Sequence, residues 1–520
     1  MEASCIRQTE LPHTTRLFAD LIYHRDRVSR FYPEPSYKHA ASQIHFSPEK
    51  RAALVSALRE RNNASESLDM LARPGTVAVV TGQQVGLFSG PAYTIYKALT
   101  AVKLARELTA TGIPAVPIFW IATEDHDFAE VNQAWMFDRE HHPHELRAGA
   151  TPGPNQPVGE VTLEHVPIDK LNQILDGLPF AEDILARVRD TYVPGRSFGH
   201  AFGALVANLL SGYGILQIDP MSAAVRELAA PAMRDAVAAA PDLTRELLRR
   251  NRELTEAGYH AQVHVEEQTA LFFLLENGRR LSLRRQNGEY VSQGRRFSTE
   301  ELMDRAHQLS PNALLRPVIQ DFMLPTVAYV GGPAELAYLA QSQVIYERLL
   351  GRQPVGLHRS GFTVLDARSR KLMARYRLEL PDFFQGEEAL RMKIAGSLVP
   401  SALAQTMQTT KDITEREIER LASELAQFDP TLAKALAKSR RKIDYQLSKI
   451  GHKVAFQTLQ RDTKAAQDAS SLYGLVFPNK HLQERLYSIV PLIAKHGMEL
   501  IGSIYDNIHL DCPDHQMFVA

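Results

Sequence analysis

The sequence predicts an α/β fold: a parallel-sheet core interrupted by inserted modules and extended by a long helical hairpin. Three observations predict it. A strand, a tight turn, a helix and a second strand follow one another between residues 76 and 122. A second strand-to-helix junction near 324–351 echoes the first. A heptad of apolar residues flanked by charges then runs through 436–454.

The first unit reads TVAVVTG, GQQVGLFSGP, PAYTIYKALTAVKLARELTATG, PAVPIFWIA. The short apolar, β-rich runs at either end fit buried strands. Ile95, Leu99, Val102, Ala105 and Leu108 recur at helical spacing and give the intervening helix one apolar face. Pro91 suits a first helical position and Gly112 a C-terminal cap. Such βαβ units build parallel sheets with right-handed crossovers. The later stretch MLPTVAYV, GG, PAELAYLAQSQVIYERLLG repeats the pattern, with Gly332-Pro333-Ala334-x-x-x-Tyr338-x-Ala340 matching Gly90-Pro91-Ala92-x-x-x-Tyr96-x-Ala98. Two such junctions suit two halves of one Rossmann-like sheet.

The remainder is divided around these units. Residues 1–75 read as an N-terminal helical layer, with Ser47 and Pro48 as cap and first turn, and 76–138 as the first half of the core. The run 138–161 is rich in His, Pro and Gly and lacks periodicity, 139–213 reads as an insertion, and a core strand returns at GILQIDP within 214–225. A second insertion, 226–309, carries a β-hairpin with turns at Asn277-Gly278 and Asn287-Gly288. The core's second half spans 310–400. A coiled-coil hairpin is expected over 401–470, broken at Asp429-Pro430, with Leu436, Ile443, Leu447, Ile450 and Val454 on its seam. Residues 471–520 return to the core, with MELIGSIYD read as a final strand.

Composition narrows the function. The formal net charge is −1, which gives no general reason to expect nucleic acid or an anionic membrane as partner. No N-terminal leader pattern or membrane-length apolar run is found, so a cytoplasmic location is expected. The two cysteines, Cys5 and Cys512, stand near opposite ends and suggest neither a zinc site nor a disulfide framework. His141, His142 and His144 fit an exposed loop better than a metal cluster, and no metal site is assigned. The arginine pairs 279–280, 284–285 and 295–296 fit a solvated hairpin face.

Three stretches carry residues suited to chemistry. In the first, Gly82, Gly86 and Gly90 lie between a strand and a helix, where glycine lets a ligand approach the backbone and the helix N-terminus favours an anion. Gln83, Gln84, Thr94 and Lys97 complete that candidate nucleotide or anion site. It matches neither of the standard phosphate-binding glycine motifs. In the second, Glu124, Asp125, His126 and Asp127 follow an apolar strand, at the sheet end where open α/β folds bind ligands. They offer acid–base groups, contacts to an amine, or oxygen ligands for Mg2+, and His126 between two aspartates is expected to favour its protonated form. In the third, Gln320, Asp321, Gly331, Gly332, Glu335 and Tyr338 form a candidate substrate site, with Glu335 equally suited to stabilising a helix start.

Four stretches together, TGQQVGLFSGPAYTIYK, PIFWIATEDHDFAEV, RPVIQDFMLPTVAYVGGPAELAYLAQ and LVFPNKHLQERL, resemble the BshC family of bacillithiol biosynthesis, in the family's order and across most of the chain. The resemblance implies a Rossmann-like core with two connecting-peptide insertions and a coiled-coil domain supporting a homodimer. It implies a nucleotide-binding pocket and a cysteine ligase adding L-cysteine to glucosaminyl-malate. ATP is the expected co-substrate, with Mg2+ as a possible companion. The H-I-G-H and K-M-S-K-S signatures of related synthetases are missing, and no thiol-selecting zinc site is legible. A metabolite-binding scaffold and a nucleotidyltransferase acting on another small carboxylic acid are the alternatives.

Overall fold

A computed structural model describes residues 4–33, 35–62 and 65–520. Its central sheet has five parallel strands: β1 (Val77–Gln84), β2 (Ala115–Ala122), β3 (Leu216–Ile218), β4 (Thr326–Gly331) and β5 (Val355–His358), in the spatial order β5-β4-β1-β2-β3. The chain steps outward from β1 to β3, then returns to place β4 on the other side of β1. The strand order therefore reverses between β1 and β4, the point at which open parallel sheets leave a crevice at their carboxyl ends.

Both faces of the sheet are covered, which is why its strands are apolar throughout rather than alternating. Within β2, Phe119 and Ile121 enter one core cluster while Ile118 and Trp120 enter another on the opposite face. Helix α1 (Tyr93–Ala110) makes the crossover from β1 to β2. Helices α2 (Arg316–Met323) and α3 (Pro333–Leu349) flank β4. Gly82 is needed where β1 meets β2: a Cβ there would lie 2.8 Å from the Trp120 carbonyl oxygen.

The second insertion is a 34-residue helix, Ala223–Glu256, that runs through Pro231 and Pro241, followed by an antiparallel sheet. Its hairpins turn at Asn277-Gly278 and Asn287-Gly288 as expected, with both asparagines in the left-handed region. The last strand of that sheet, Leu309–Pro311, leads into α2, which brings the hairpin to the edge of the crevice.

Three expectations are corrected. MELIGSIYD is a helix, Glu499–Asp506, whose apolar residues Leu500, Ile501 and Ile504 form its buried face; the final strand is His515–Val519. The 139–213 stretch carries more regular structure than its His-, Pro- and Gly-rich start suggests, with the helices Ile168–Leu175, Ala181–Thr191 and Phe198–Leu209. The two cysteines are not isolated. His515–Val519 pairs antiparallel with Ser4–Ile6, and partial burial and the Cys512 thiol beside it push the Cys5 thiol above its ordinary value.

The helical hairpin consists of Ser401–Phe428 and Pro430–Arg461, turning at Asp429, whose carboxylate accepts from Thr431 N and so caps the second helix. Arg440 pairs with Glu415 and Glu419 across it. Ile413, Ile443 and Ile450 remain 52%, 38% and 54% exposed. No helix among the described residues is long and apolar enough to cross a membrane.

Candidate active site

A cleft of about 550 Å³ opens over the carboxyl ends of β1, β2 and β4. That volume lies within the range in which proteins hold small molecules. The Gly82–Gln84 end of β1 and the Glu124–His126 segment beyond β2 both line it, as do Gly332, Glu335 and Tyr338 at the start of α3. The two loop regions flanking the switch point thus face a common space.

Lys97 ties the two halves together. Its Nζ, buried beneath the cleft floor, donates to Gly82 O at 2.5 Å, Gln83 Oε1 at 3.2 Å and Glu335 Oε2 at 2.6 Å. Glu335 also accepts from Gly332 N at 2.8 Å and from the Tyr329 hydroxyl at 2.6 Å. Burial draws Lys97 below its usual value, against the pull of Glu335. Burial alone would raise Glu335, but Lys97, the Gly332 N–H and Tyr329 together hold it below the usual carboxylate range.

The acidic segment splits into groups with different tasks. Glu124 is buried; its Oε2 accepts from Ser310 Oγ at 2.8 Å, while Oε1 has no partner. Burial pushes its carboxyl up, opposed by Arg280 and Ser310. Burial also pushes Asp125 up, but Gln84 at 2.6 Å, Arg280 and the His126 N–H at 2.7 Å hold it down on balance. Two neighbouring carboxylates therefore sit on opposite sides of their common value, the arrangement that lets one act as an acid while the other stays charged. His126 differs from expectation: burial and the Arg280 guanidinium outweigh Asp125 and Asp127, so it is held below its ordinary value and favours the neutral form. Asp127 is exposed and caps the helix Phe128–Val131 through Glu130 N at 3.2 Å, rather than lining the cleft.

Arg280 is the principal residue that sequence reasoning missed. It was grouped with a solvated basic face, and its neighbours Arg279, Arg295 and Arg296 are indeed exposed. Arg280 points inward, stacks 3.9 Å from the Phe273 ring centroid, and donates to Ser310 Oγ at 3.0 Å and Pro311 O at 2.9 Å. Strand alternation is the signal that separates it from Arg279. Arg316 was also passed over. It donates to the Tyr338 hydroxyl at 2.9 Å and to Gln320 Oε1 at 3.0 Å. Arg359 and Arg485 complete the basic lining.

Several predicted positions lie elsewhere. Gly86, Gly90 and Thr94 are buried away from the cleft. Tyr192 donates its hydroxyl to Gly86 O at 3.1 Å, and Ala92 N donates to Tyr487 O at 2.7 Å. The C-terminal segment therefore covers the α1 start at Ala92, and only Tyr93 of the first turn reaches the cleft. Helix α1 begins at Tyr93, so Pro91 precedes it rather than opening it. Gln320 and Asp321 are fully buried behind the cleft: Gln320 supports Arg316, and Asp321 accepts from the Tyr346 hydroxyl. Gly331 accepts from Arg359 N at 3.0 Å through its carbonyl and does not line the cleft. Of the histidine run, His142 and His144 both contact Asp138, at 3.1 and 2.9 Å, and His141 is buried against Ser471.

The resulting site joins cations from the hairpin, α2 and the C-terminal segment to carboxylates from β2. It can bind an anionic group and hold an amine at once. Residues 1–360 match the family model described as bacillithiol biosynthesis BshC, N-terminal Rossmann-like domain, and residues 362–519 match its C-terminal coiled-coil domain. A protein of Solibacter usitatus named "Putative cysteine ligase BshC" is 58% identical over 525 residues, covering 100% of both chains. Proteins of the same name from Koribacter versatilis and Symbiobacterium thermophilum are 36% and 31% identical, covering 99% and 89% of this chain and 99% and 88% of their own.

Proposed function

Because the chain belongs to the BshC family of bacillithiol biosynthesis, we propose that it is a cysteine ligase that forms an amide bond between the carboxyl of L-cysteine and the amine of glucosaminyl-malate. The observation that carries this reading is the pairing of Glu124 and Asp125, held in opposite directions from their ordinary values, in one cleft with Arg280 and Lys97. Amide formation needs an activated carboxyl and a deprotonated amine. ATP is the proposed activator: the cysteine carboxylate attacks its α- or γ-phosphorus, releasing pyrophosphate or ADP, and the amine then attacks the mixed anhydride, releasing AMP or phosphate respectively. Arg280 and Arg316 would offset the charge of the transferring group. Asp125, the charged carboxylate, would orient the ammonium form of the amine, and Glu124 or His126 would take its proton. Mg2+ would enter with the nucleotide; Glu124 Oε1 is a carboxylate oxygen in this wall without a hydrogen-bond partner and so fits a contact to it.

The test is direct. Purified protein with ATP, Mg2+, L-cysteine and glucosaminyl-malate should yield the amide by mass spectrometry, with loss of product when ATP is omitted. No ATP-dependent product, in an assay with a competent positive control, would defeat the proposal. The residual exposure of Ile413, Ile443 and Ile450 supports a homodimer through the helical hairpin. Ile443→Lys with Ile450→Lys should shift the sedimentation coefficient from dimer to monomer. The proposed location is cytoplasmic.

A further inference from the structure

Beside the main cleft lies a second cavity of about 130 Å³. Its walls come from three remote parts of the chain: the turn at Leu11–Thr14, the end of β5 at His358, and the segment from Phe477 to Arg485. Pro333, Arg359 and Arg485 line both cavities, so the smaller one adjoins the larger as an annex. Its volume falls well below the ~300 Å³ at which drug-sized ligands are held, which suits a compact group rather than a nucleoside.

The charge balance of the annex favours an anion. Its carboxylate, Glu484, is fully committed: it takes two bonds from Arg359 at 3.0 and 2.6 Å and one from Phe362 N at 2.9 Å. Lys480 and Arg485, by contrast, make no ion pair or side-chain hydrogen bond among the described residues. The annex therefore carries more positive than negative charge, with Glu484 shared between Arg359 and Arg485 and Lys480 left without a partner among the described residues.

His358 supplies a second, independent observation. Both of its ring nitrogens are buried and neither makes a well-formed hydrogen bond, although the Gly331 carbonyl is close enough to favour its protonated form. Burial and the neighbouring Arg359 hold it down to about 3, so the ring is neutral and offers one donor and one acceptor. A buried polar group left unpaired is costly, and a ligand that accepts its N–H relieves that cost. The wall opposite is an unusual piece of backbone. Asn479 and Lys480 are consecutive non-glycine residues in the left-handed region, at φ 50° and 64°. Conformations of this kind concentrate where a segment clamps a ligand.

We propose that the annex is a carboxylate subsite that holds a small dicarboxylate, the malyl end of the amino-sugar substrate, while the amine reaches into the main cleft. The identity of that ligand rests on the ligase reading; the anion site itself does not. Lys480 and Arg485 would each face one carboxylate, and the His358 N–H would donate to one of them. The family-matched run FPNKHLQER then has a task distinct from the acid–base chemistry: it selects the substrate's acidic aglycone.

Calorimetric titration of the full-length protein, without ATP or cysteine, tests this with L-malate, glucosaminyl-malate and inorganic phosphate. Lys480 is exposed, so Lys480→Ala and Lys480→Glu are expected to fold, which circular dichroism will verify. L-malate and glucosaminyl-malate should bind the wild type. Lys480→Ala should weaken both about ten- to a hundredfold, the loss expected for one charge-assisted bond, and Lys480→Glu should weaken them further. A wild type that binds neither malate compound, or variants that bind as tightly as wild type, would overturn the subsite. Phosphate bound in preference, and not displaced by malate, would overturn the carboxylate assignment. Because nucleotide and cysteine are left out, failure of ligation and failure of this subsite give different results.

Discussion

The two strand-to-helix junctions share the pattern Gly-Pro-Ala-x-x-x-Tyr-x-Ala, yet one is sealed and the other open. After β1, Gly90 sits at φ 65°, Pro91 bridges to Ser488, and Ala92 N donates to Tyr487 O. After β4, Gly332 is extended at φ −80°, Pro333 opens α3, and Glu335 folds back onto Gly332 N. The second presents Gly332, Pro333, Ala334 and Glu335 to the cleft, whereas the first turn of α1 presents Tyr93 alone. The helix starts are alike; the difference is made by the C-terminal return, which lies across one of them. A local repeat in a parallel sheet therefore specifies similar backbone, while the site depends on which remote segment covers it.

Lys97 is where the two junctions meet, and removing it should have the largest effect. Lys97→Met leaves Glu335 facing a buried site without its cation, and breaking such a pair costs about 3–5 kcal/mol. Denaturant unfolding should register that loss, and ligation should fall to background. Lys97→Met combined with Glu335→Gln should regain much of the stability without regaining activity. Recovery of both would show that the pair only braces the sheet.

Much of this architecture was legible from local pattern. Continuous apolar runs marked β1, β2 and β4, the asparagine–glycine pairs marked the hairpin turns, and the heptad with Asp429-Pro430 marked the helical pair. The site was legible where residues touch the carboxyl ends of strands: Gly82, Gln83, Gln84, Glu124, Asp125 and His126 all face the cleft. It was not legible where the answer depends on distant chain. Nothing near Gly86 or Thr94 announces that Tyr192 and Tyr487 will cover them. Nothing near Arg280 announces that its side chain will reach His126 and Asp125 beyond β2. The cysteines likewise meet only because the two termini share a sheet.

Paired glycine substitutions sharpen the comparison at intermediate cost. A Cβ added at Gly86 would lie 2.7 Å from the Gly90 Cα, a backbone atom that cannot step aside. Gly86→Ala should cost about 1–3 kcal/mol of stability while leaving the KM values of the surviving folded enzyme unchanged. A Cβ at Gly332 meets nothing closer than Glu335 Oε2 at 3.5 Å. Gly332→Ala should stay within ~0.5 kcal/mol of wild type in stability, yet raise KM for a substrate held at the cleft floor. Equal behaviour in both assays would erase the distinction between a sealed and an open junction.

The last comparison concerns the seal itself. The C-terminal return carries His496 and His515, and His141 packs against it through Lys495; burial, the largest cause in each case, holds all three down to about 4. An unfolded histidine titrates near 6.5, so the unfolded chain takes up these protons first as pH falls. Their contribution to stability is complete above about pH 6.5 and is lost progressively toward pH 4, at a slope of up to about 1.4 kcal/mol per pH unit for each group. Denaturant midpoints measured from pH 7.5 to 5 should fall along that window. Corrected for the intrinsic slowing of amide exchange in acid, protection should fall at Ala92, whose amide bonds to Tyr487, and at Ser488, whose amide bonds to Trp135, before it falls at Gly332, whose amide is held by the Glu335 carboxylate. Glu335 is kept below the usual carboxylate range by Lys97 against the effect of its own burial, so the open junction should keep its cap through the acid range that loosens the closed one.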